Sequence, residues 1–276
     1  MKNLKNIDTK VLYNSLDKIK IFKDLDNDGD IRINTQFGDR LIKQVNVSEI
    51  YEIFDFGPFA KEVVEKLIND FGITKYDLTI KGGLQELVLE GEEINIKGKT
   101  FKKRFYVLSS SDKSRRLQLN FGLYSEDFFF TIISSQGMIS RKHINGLNDV
   151  VDDMLFFDND VFDDTIELMD KIIGDTILLS QVEKVILELD KEDADQPNQT
   201  NELKLKSFKN TLLYSNEVTR EDLENDRLEL DAFLVFRSYL YLFRNRDSYI
   251  VKKETKKISR ITKAGFREER LALLLG

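Results

Sequence analysis

The chain has no cysteine among its 276 residues, so it can build neither a disulfide framework nor a cysteine-based zinc site. It has a single histidine, His143, and therefore no second imidazole or thiolate to help that residue hold a metal ion. No stretch approaches the ~18 consecutive apolar residues of a membrane span. Met1–Asn6 has no apolar run behind it, so no signal peptide is expected. The glycine-rich phosphate loop, the GxSxG elbow and the HExxH helix are all missing. As a general base His143 would need a nucleophile or substrate beside it, and in Ser140-Arg141-Lys142-His143 it reads more simply as a turn or helix-start histidine. Ser134 and Ser135 have no visible activating partner. The expectation is a cytoplasmic protein that uses no cofactor and no metal, does not enter a membrane, and binds or assembles rather than catalyses.

What is present is a strand-rich block from Leu78 to Ser140. Leu78–Ile80, Leu84–Leu89, Glu93–Ile96, Phe101–Leu108, Leu117–Tyr124 and Phe128–Ile133 are rich in β-branched, aromatic and aliphatic residues. Leu117, Leu119, Phe121 and Leu123 alternate with Gln118, Asn120 and Gly122, the period of a half-buried strand. Gly82-Gly83, Glu90-Gly91-Glu92, Lys97-Gly98-Lys99 and Ser125-Glu126-Asp127 supply short turns. Turns of that length exclude crossover helices, so the block is expected to be an antiparallel meander. Ser109–Arg116 is its one long polar connection.

Before the block, Val11, Leu12, Leu16 and Ile19 have helical spacing over Asp8–Phe22. Asp24–Thr35 resembles the first half of a calcium loop, but Thr35 stands where a bidentate Glu is required and Arg32 opposes a cation. The plainer reading is an acidic turn leading into a hairpin of Ile31–Thr35 and Arg40–Val45. Pro58 suits a first helical turn, Phe59, Val63, Val64, Leu67, Ile68 and Phe71 follow at helical spacing, and Gly72 can end the helix. Pro58–Phe71 is thus a helix expected to cover one face of the sheet.

After Ser140 the period becomes helical. Two or three amphipathic helices are expected up to Leu189, their polar faces carrying an acidic run that is solvated in the simplest reading. Nothing gives Asp152, Asp153, Asp158, Asp160, Asp163 and Asp164 the geometry of a metal cluster. Residues 190–201 are polar and carry a proline, as a linker does. Thr219-Arg220-Glu221-Asp222 is capping-box-like, and a long helix is expected from there to about Asn245. The fold class expected is therefore α+β: a core domain over residues 1–189 with an acidic helical extension, a linker over 190–201, and a basic helical region over 202–276 packed on the core.

The net charge of −7 conceals a strong asymmetry. Asp149–Asp195 holds 16 acidic and 3 basic residues; Lys97–Arg116 holds 8 basic and 1 acidic; Arg237–Arg270 holds 11 basic and 4 acidic. Overall charge argues against nucleic acid, whereas local charge permits it.

The order of elements resembles an uncharacterised phage/plasmid-like protein family, a domain of unknown function found on phages and plasmids. Asp39-Arg40-Leu41-Ile42 followed by Tyr51-Glu52-Ile53-Phe54 is similar to the family's polar hairpin and the run before its helix. Ser110-Ser111-Asp112-Lys113-Ser114 is similar to its strand turn. Ile133-Ser134-Ser135-Gln136-Gly137-Met138 resembles its Val-Cys-Ser-Asn-Gly-Leu segment, and His143 the histidine that follows. The family's cysteine and asparagine are replaced in this chain. The likeness spans roughly Ile31–Leu189 and implies a phage- or plasmid-encoded protein, in the host cytoplasm or in a virion, with no catalytic residues to carry over.

Two functions fit these observations. In the first, cations and aromatics bind nucleic acid, with single-strand binding or annealing in replication or recombination as the form it takes. Lys102, Lys103, Arg104, Lys113, Arg115 and Arg116, and then Arg244, Arg246, Lys252, Lys253, Lys256 and Lys257, would neutralise phosphates, while Phe101, Phe105, Tyr106, Tyr239, Tyr241 and Tyr249 would stack bases. In the second, the acidic helices are a contact surface for a protein partner, as in a virion component or an inhibitor of host defence. Either is compatible with a homo-oligomer.

Overall fold

Glycines at two-residue turns set the frame. Gly82 and Gly83 have φ of +54° and +85°, and Lys97 and Gly98 have φ of +45° and +84°. Two successive positive φ values form the hairpin turn whose twist matches that of paired strands. These turns join β5 (Lys75–Lys81) to β6 (Leu84–Ile96), and β6 to β7 (Lys99–Ser110). With β8 (Leu117–Ser125), β9 (Phe130–Arg141) and the short β1 (Lys5–Asn6), they form a six-stranded sheet in the order β1-β5-β6-β7-β8-β9. The expected α+β class and antiparallel meander are therefore found. The structure, a computed structural model, describes residues 4–25, 29–111, 116–126, 130–143, 152–157, 159–188, 201–215, 217–225 and 227–241.

Contacts divide the chain into two units. The first comprises the chain up to Ile94, Phe101–Leu123 and Gln136–Asp164; the second comprises Asn95–Thr100, Tyr124–Ser135 and the chain from Thr165.

In the first unit the helix expected at Pro58–Phe71 is α2, Phe56–Phe71, ended by Gly72 in the left-handed conformation at φ 56°. Phe59, Val63, Val64, Leu67 and Phe71 are buried along its inner face. Phe71 meets Phe105 of β7 at 5.1 Å and Phe162 at 5.9 Å, both edge to face. Such pairs add about 0.5–1.5 kcal/mol each beyond area burial. The turn expected at Glu90-Gly91-Glu92 does not exist: β6 runs through it. Gly91 is there because the end of α2 passes close by, so that a Cβ would lie 2.6 Å from the Phe71 carbonyl oxygen.

The leading helix is shorter than its spacing suggests. α1 is Thr9–Leu16, with the Asp8 carboxylate accepting from the Val11 N–H at 3.1 Å. Ile19–Phe22 belongs instead to β2 (Ile19–Leu25), which pairs antiparallel with β3 (Ile31–Phe37). β4 (Arg40–Asn46) completes a three-stranded sheet, so the expected hairpin is present with an added strand. The ends of the calcium-like loop lie in strands: Asp24 is exposed opposite Arg32, and Thr35 is buried.

The second unit has its own core of Ile177, Leu179, Val182, Phe208, Leu212, Val218, Leu230, Ala232 and Leu234. Helices α3 (Asp163–Ile172), α4 (Leu179–Glu188), α5 (Asn201–Tyr214) and α6 (Ala232–Tyr241) are joined by a strand pair, β10 (Thr176–Leu178) with β11 (Glu229–Asp231). Ile177 and Leu178, expected in a helix, are thus in a strand. The long helix expected from Thr219 is interrupted for the same reason. Its capping box forms, with the Asp222 carboxylate accepting from the Thr219 N–H at 2.8 Å and Thr219 Oγ1 accepting from the Asp222 N–H at 3.2 Å. It closes only the 3-10 turn Asp222–Glu224, and Asp231 then opens α6 by accepting from the Leu234 N–H at 2.7 Å. Among the described residues no helix is long and apolar enough to cross a membrane.

Candidate nucleic-acid interface

The basic segment on β7 is engaged within the protein. Its side chains alternate between the two faces of the strand. Lys103 stands on the face of Phe101 and Phe105, with its ammonium 5.3 Å from the Phe71 ring and 5.5 Å from the Phe162 ring. Lys102 lies 3.6 Å from the Glu93 carboxylate. Arg104 donates from Nε at 2.9 Å and from Nη2 at 2.6 Å to Glu90, which is 4% exposed in its side chain and also has Lys75 at 3.5 Å. These cations balance acids and cover rings that belong to the fold.

Ser109–Ser111, expected to open an exposed loop, are buried, the first two as the end of β7 and Ser111 as the turn residue after it. The Ser111 N–H donates to the Gly83 carbonyl at 3.0 Å, and its hydroxyl hydrogen-bonds the Thr35 hydroxyl. The Tyr51 hydroxyl donates to the Ser110 carbonyl at 2.9 Å. Ser109 Oγ is 3.4 Å from Nε2 of His143. His143 is stacked on Tyr51 and edge-on to Phe54, and burial pushes its pKa down to about 4 although the Glu52 carbonyl favours the proton. Ser109 is 1% exposed, so this serine–histidine contact is closed to substrate and serves as a packing seam. Among the described residues no three His, Asp or Glu side chains are placed to share a metal ion.

Arg116 is exposed just before β8. Lys113, Arg115, Arg244, Arg246, Lys252, Lys253, Lys256 and Lys257 lie outside the described residues. Ser134, Ser135, Gln136 and Gly137 lie within β9, which continues to Arg141 rather than stopping near Ile133.

The structure adds a surface that periodicity did not reveal. In the three-stranded sheet, Ile19, Thr35 and Ile33 are buried on the inner face. The register sets the outer face as three rows: Lys20, Gln36 and Leu41; Phe22, Asn34 and Gln44; Asp24, Arg32 and Asn46. Phe22 is 39% exposed at the head of the middle row. Gln44 Nε2 donates to Asn34 Oδ1 at 2.9 Å, and Arg32 Nε to Asn46 Oδ1 at 3.3 Å. β2, β3 and β4 together carry five cations (Lys20, Lys23, Arg32, Arg40 and Lys43) against one acid, Asp24. The signal available in the sequence was the alternation of Ile19 and Ile21 with Lys20 and Phe22, which the helical spacing from Leu16 to Ile19 masked.

No family model matches the chain, and neither a curated protein nor a solved structure does.

Proposed function

We propose that the protein binds single-stranded nucleic acid without catalysis, through the outer face of β2–β4. The observation that carries this reading is the exposed Phe22 on a sheet face that also carries Lys20 and Arg32, with Asp24 as its one acid. Aromatic side chains take up bases of any sequence, and lysine and arginine around them neutralise the backbone. On this reading the basic residues Lys113, Arg115 and Arg116 neutralise further phosphates. The resemblance to phage/plasmid-like proteins agrees with a role in replication or recombination in a host cytoplasm.

The test is fluorescence anisotropy with labelled single- and double-stranded oligonucleotides across a salt series. Binding should favour the single strand and weaken with salt by about 0.7 in log–log slope for each phosphate neutralised. Joint replacement Arg115→Ala and Arg116→Ala should flatten that slope by roughly one to two units. Absence of binding at low salt would overturn the reading.

One observation favours a protein partner instead. Phe156 is 82% exposed in an acidic stretch of sequence that includes Asp152, Asp153 and Asp160, and an exposed apolar anchor in such a stretch suits a basic protein surface. Phe156→Ala should abolish that contact and leave oligonucleotide binding intact.

A further inference from the structure

We infer that Gln44, held in place by Asn34, reads the edge of a base stacked on Phe22, and that the base it favours is adenine. This rests on the single-strand reading and adds a specificity to it.

Phe22, Asn34 and Gln44 face the same side in one row across three strands. Adjacent strands are ~4.8 Å apart, so the backbones of β2 and β4 are separated by about twice that. The Gln44 Nε2 reaches Asn34 Oδ1 at 2.9 Å, which turns the carboxamide towards β3. The amide is thus held on the side of its strand that faces the Phe22 position of the row. A base stacked on that ring would have its edge at the carboxamide. Asn34 is 5% exposed and Gln44 is exposed, so Asn34 acts as the buried support and Gln44 is the group open to a ligand.

One N–H of Gln44 is committed to Asn34. The second N–H and the carbonyl oxygen remain, one donor beside one acceptor. Adenine presents the complement, with the N6 amino group donating and N7 accepting. Guanine offers two acceptors at the same edge, and its O6 would face the glutamine oxygen. Thymine has no amino donor, and cytosine carries its N4–N3 pair on a single ring that offers less area than a purine to stack on Phe22. Lys20 is exposed in the neighbouring row, and no carboxylate stands in either of these two rows, so the strand backbone meets no like charge there.

The experiment is anisotropy with labelled oligo(dA), oligo(dT), oligo(dC) and an oligo(dA) analogue containing 7-deazaadenine, which keeps the amino group and lacks the N7 acceptor. Oligo(dA) should bind on the order of ten-fold more tightly than oligo(dT) or oligo(dC). The 7-deaza analogue should lose most of that advantage. In Gln44→Ala the four oligonucleotides should bind alike, and thermal unfolding of that variant shows whether it is folded. Should Gln44→Ala fail to fold, the 7-deaza comparison on the unaltered protein decides alone. Equal binding of all four to the unaltered protein, or a dA preference that survives Gln44→Ala or the 7-deaza exchange, overturns the inference while leaving single-strand binding standing. No binding to any of them overturns the single-strand reading itself.

Discussion

The rings of Tyr51 and His143 lie parallel, 3° apart in plane with centroids 5.4 Å from each other. The pair joins the segment before α2 to the residues that follow β9, and the Tyr51 hydroxyl also holds the Ser110 carbonyl. It makes stability sensitive to pH. His143 titrates near 4 in the folded protein and near 6.5 when unfolded, so the unfolded chain takes up the proton first. Stability is therefore full above about pH 6.5, falls as pH drops towards 4, and loses nothing more from this group below that. The loss should approach about 3 kcal/mol. Urea unfolding between pH 7 and 4 checks it, and His143→Gln should remove that part of the dependence.

Arg104 is expected to matter for folding. Its loss strips the Glu90 carboxylate, 4% exposed, of two charge-assisted hydrogen bonds and leaves it facing Lys75 at 3.5 Å. Arg104→Ala should destabilise by about 3 kcal/mol, and Glu90→Ala made together with it should restore part of that, because the orphaned charge goes with it. A double-mutant cycle in denaturant measures the coupling. Additive effects would show the pair to be incidental.

Gly91 is a close-approach position. The 2.6 Å to the Phe71 carbonyl that a Cβ would face cannot be relieved by rotating a side chain. Gly91→Ala should cost about 1–3 kcal/mol by overpacking, although the residue sits in a strand where glycine is otherwise unfavourable. A gain in stability would place the end of α2 further from β6.

Phe22→Ala should weaken binding to every single strand by about 1–3 kcal/mol, the contribution of one stacked base, and leave the salt slope unchanged. Titrations at two salt concentrations separate these effects. A flattened slope with retained affinity would mean that Phe22 acts through charge placement and not through stacking.

Local chemistry determined a large part of this fold. Gly82-Gly83 and Lys97-Gly98 demand tight turns, and turns that short leave antiparallel pairing as the only option, so the meander follows from sequence. Phe59 to Phe71 at helical spacing, closed by Gly72, likewise determines α2. Only tertiary contacts decided the rest. Glu90-Gly91-Glu92 has turn composition, yet Gly91 serves close packing against Phe71. Ile19 fits a helix after Leu16 and a strand with Ile21 equally well, and pairing with Phe37 settles it. Leu230 fits a helical stripe, but Ile177 lies opposite in a strand pair. The same limit governs the site. Composition shows that Lys102 and Arg104 are cations, whereas the neighbouring strand brings Glu93 and Glu90 to them. No spacing in the chain places Phe22 beside Asn34 and Gln44, because a sheet row joins residues far apart in sequence and exists only once register is set.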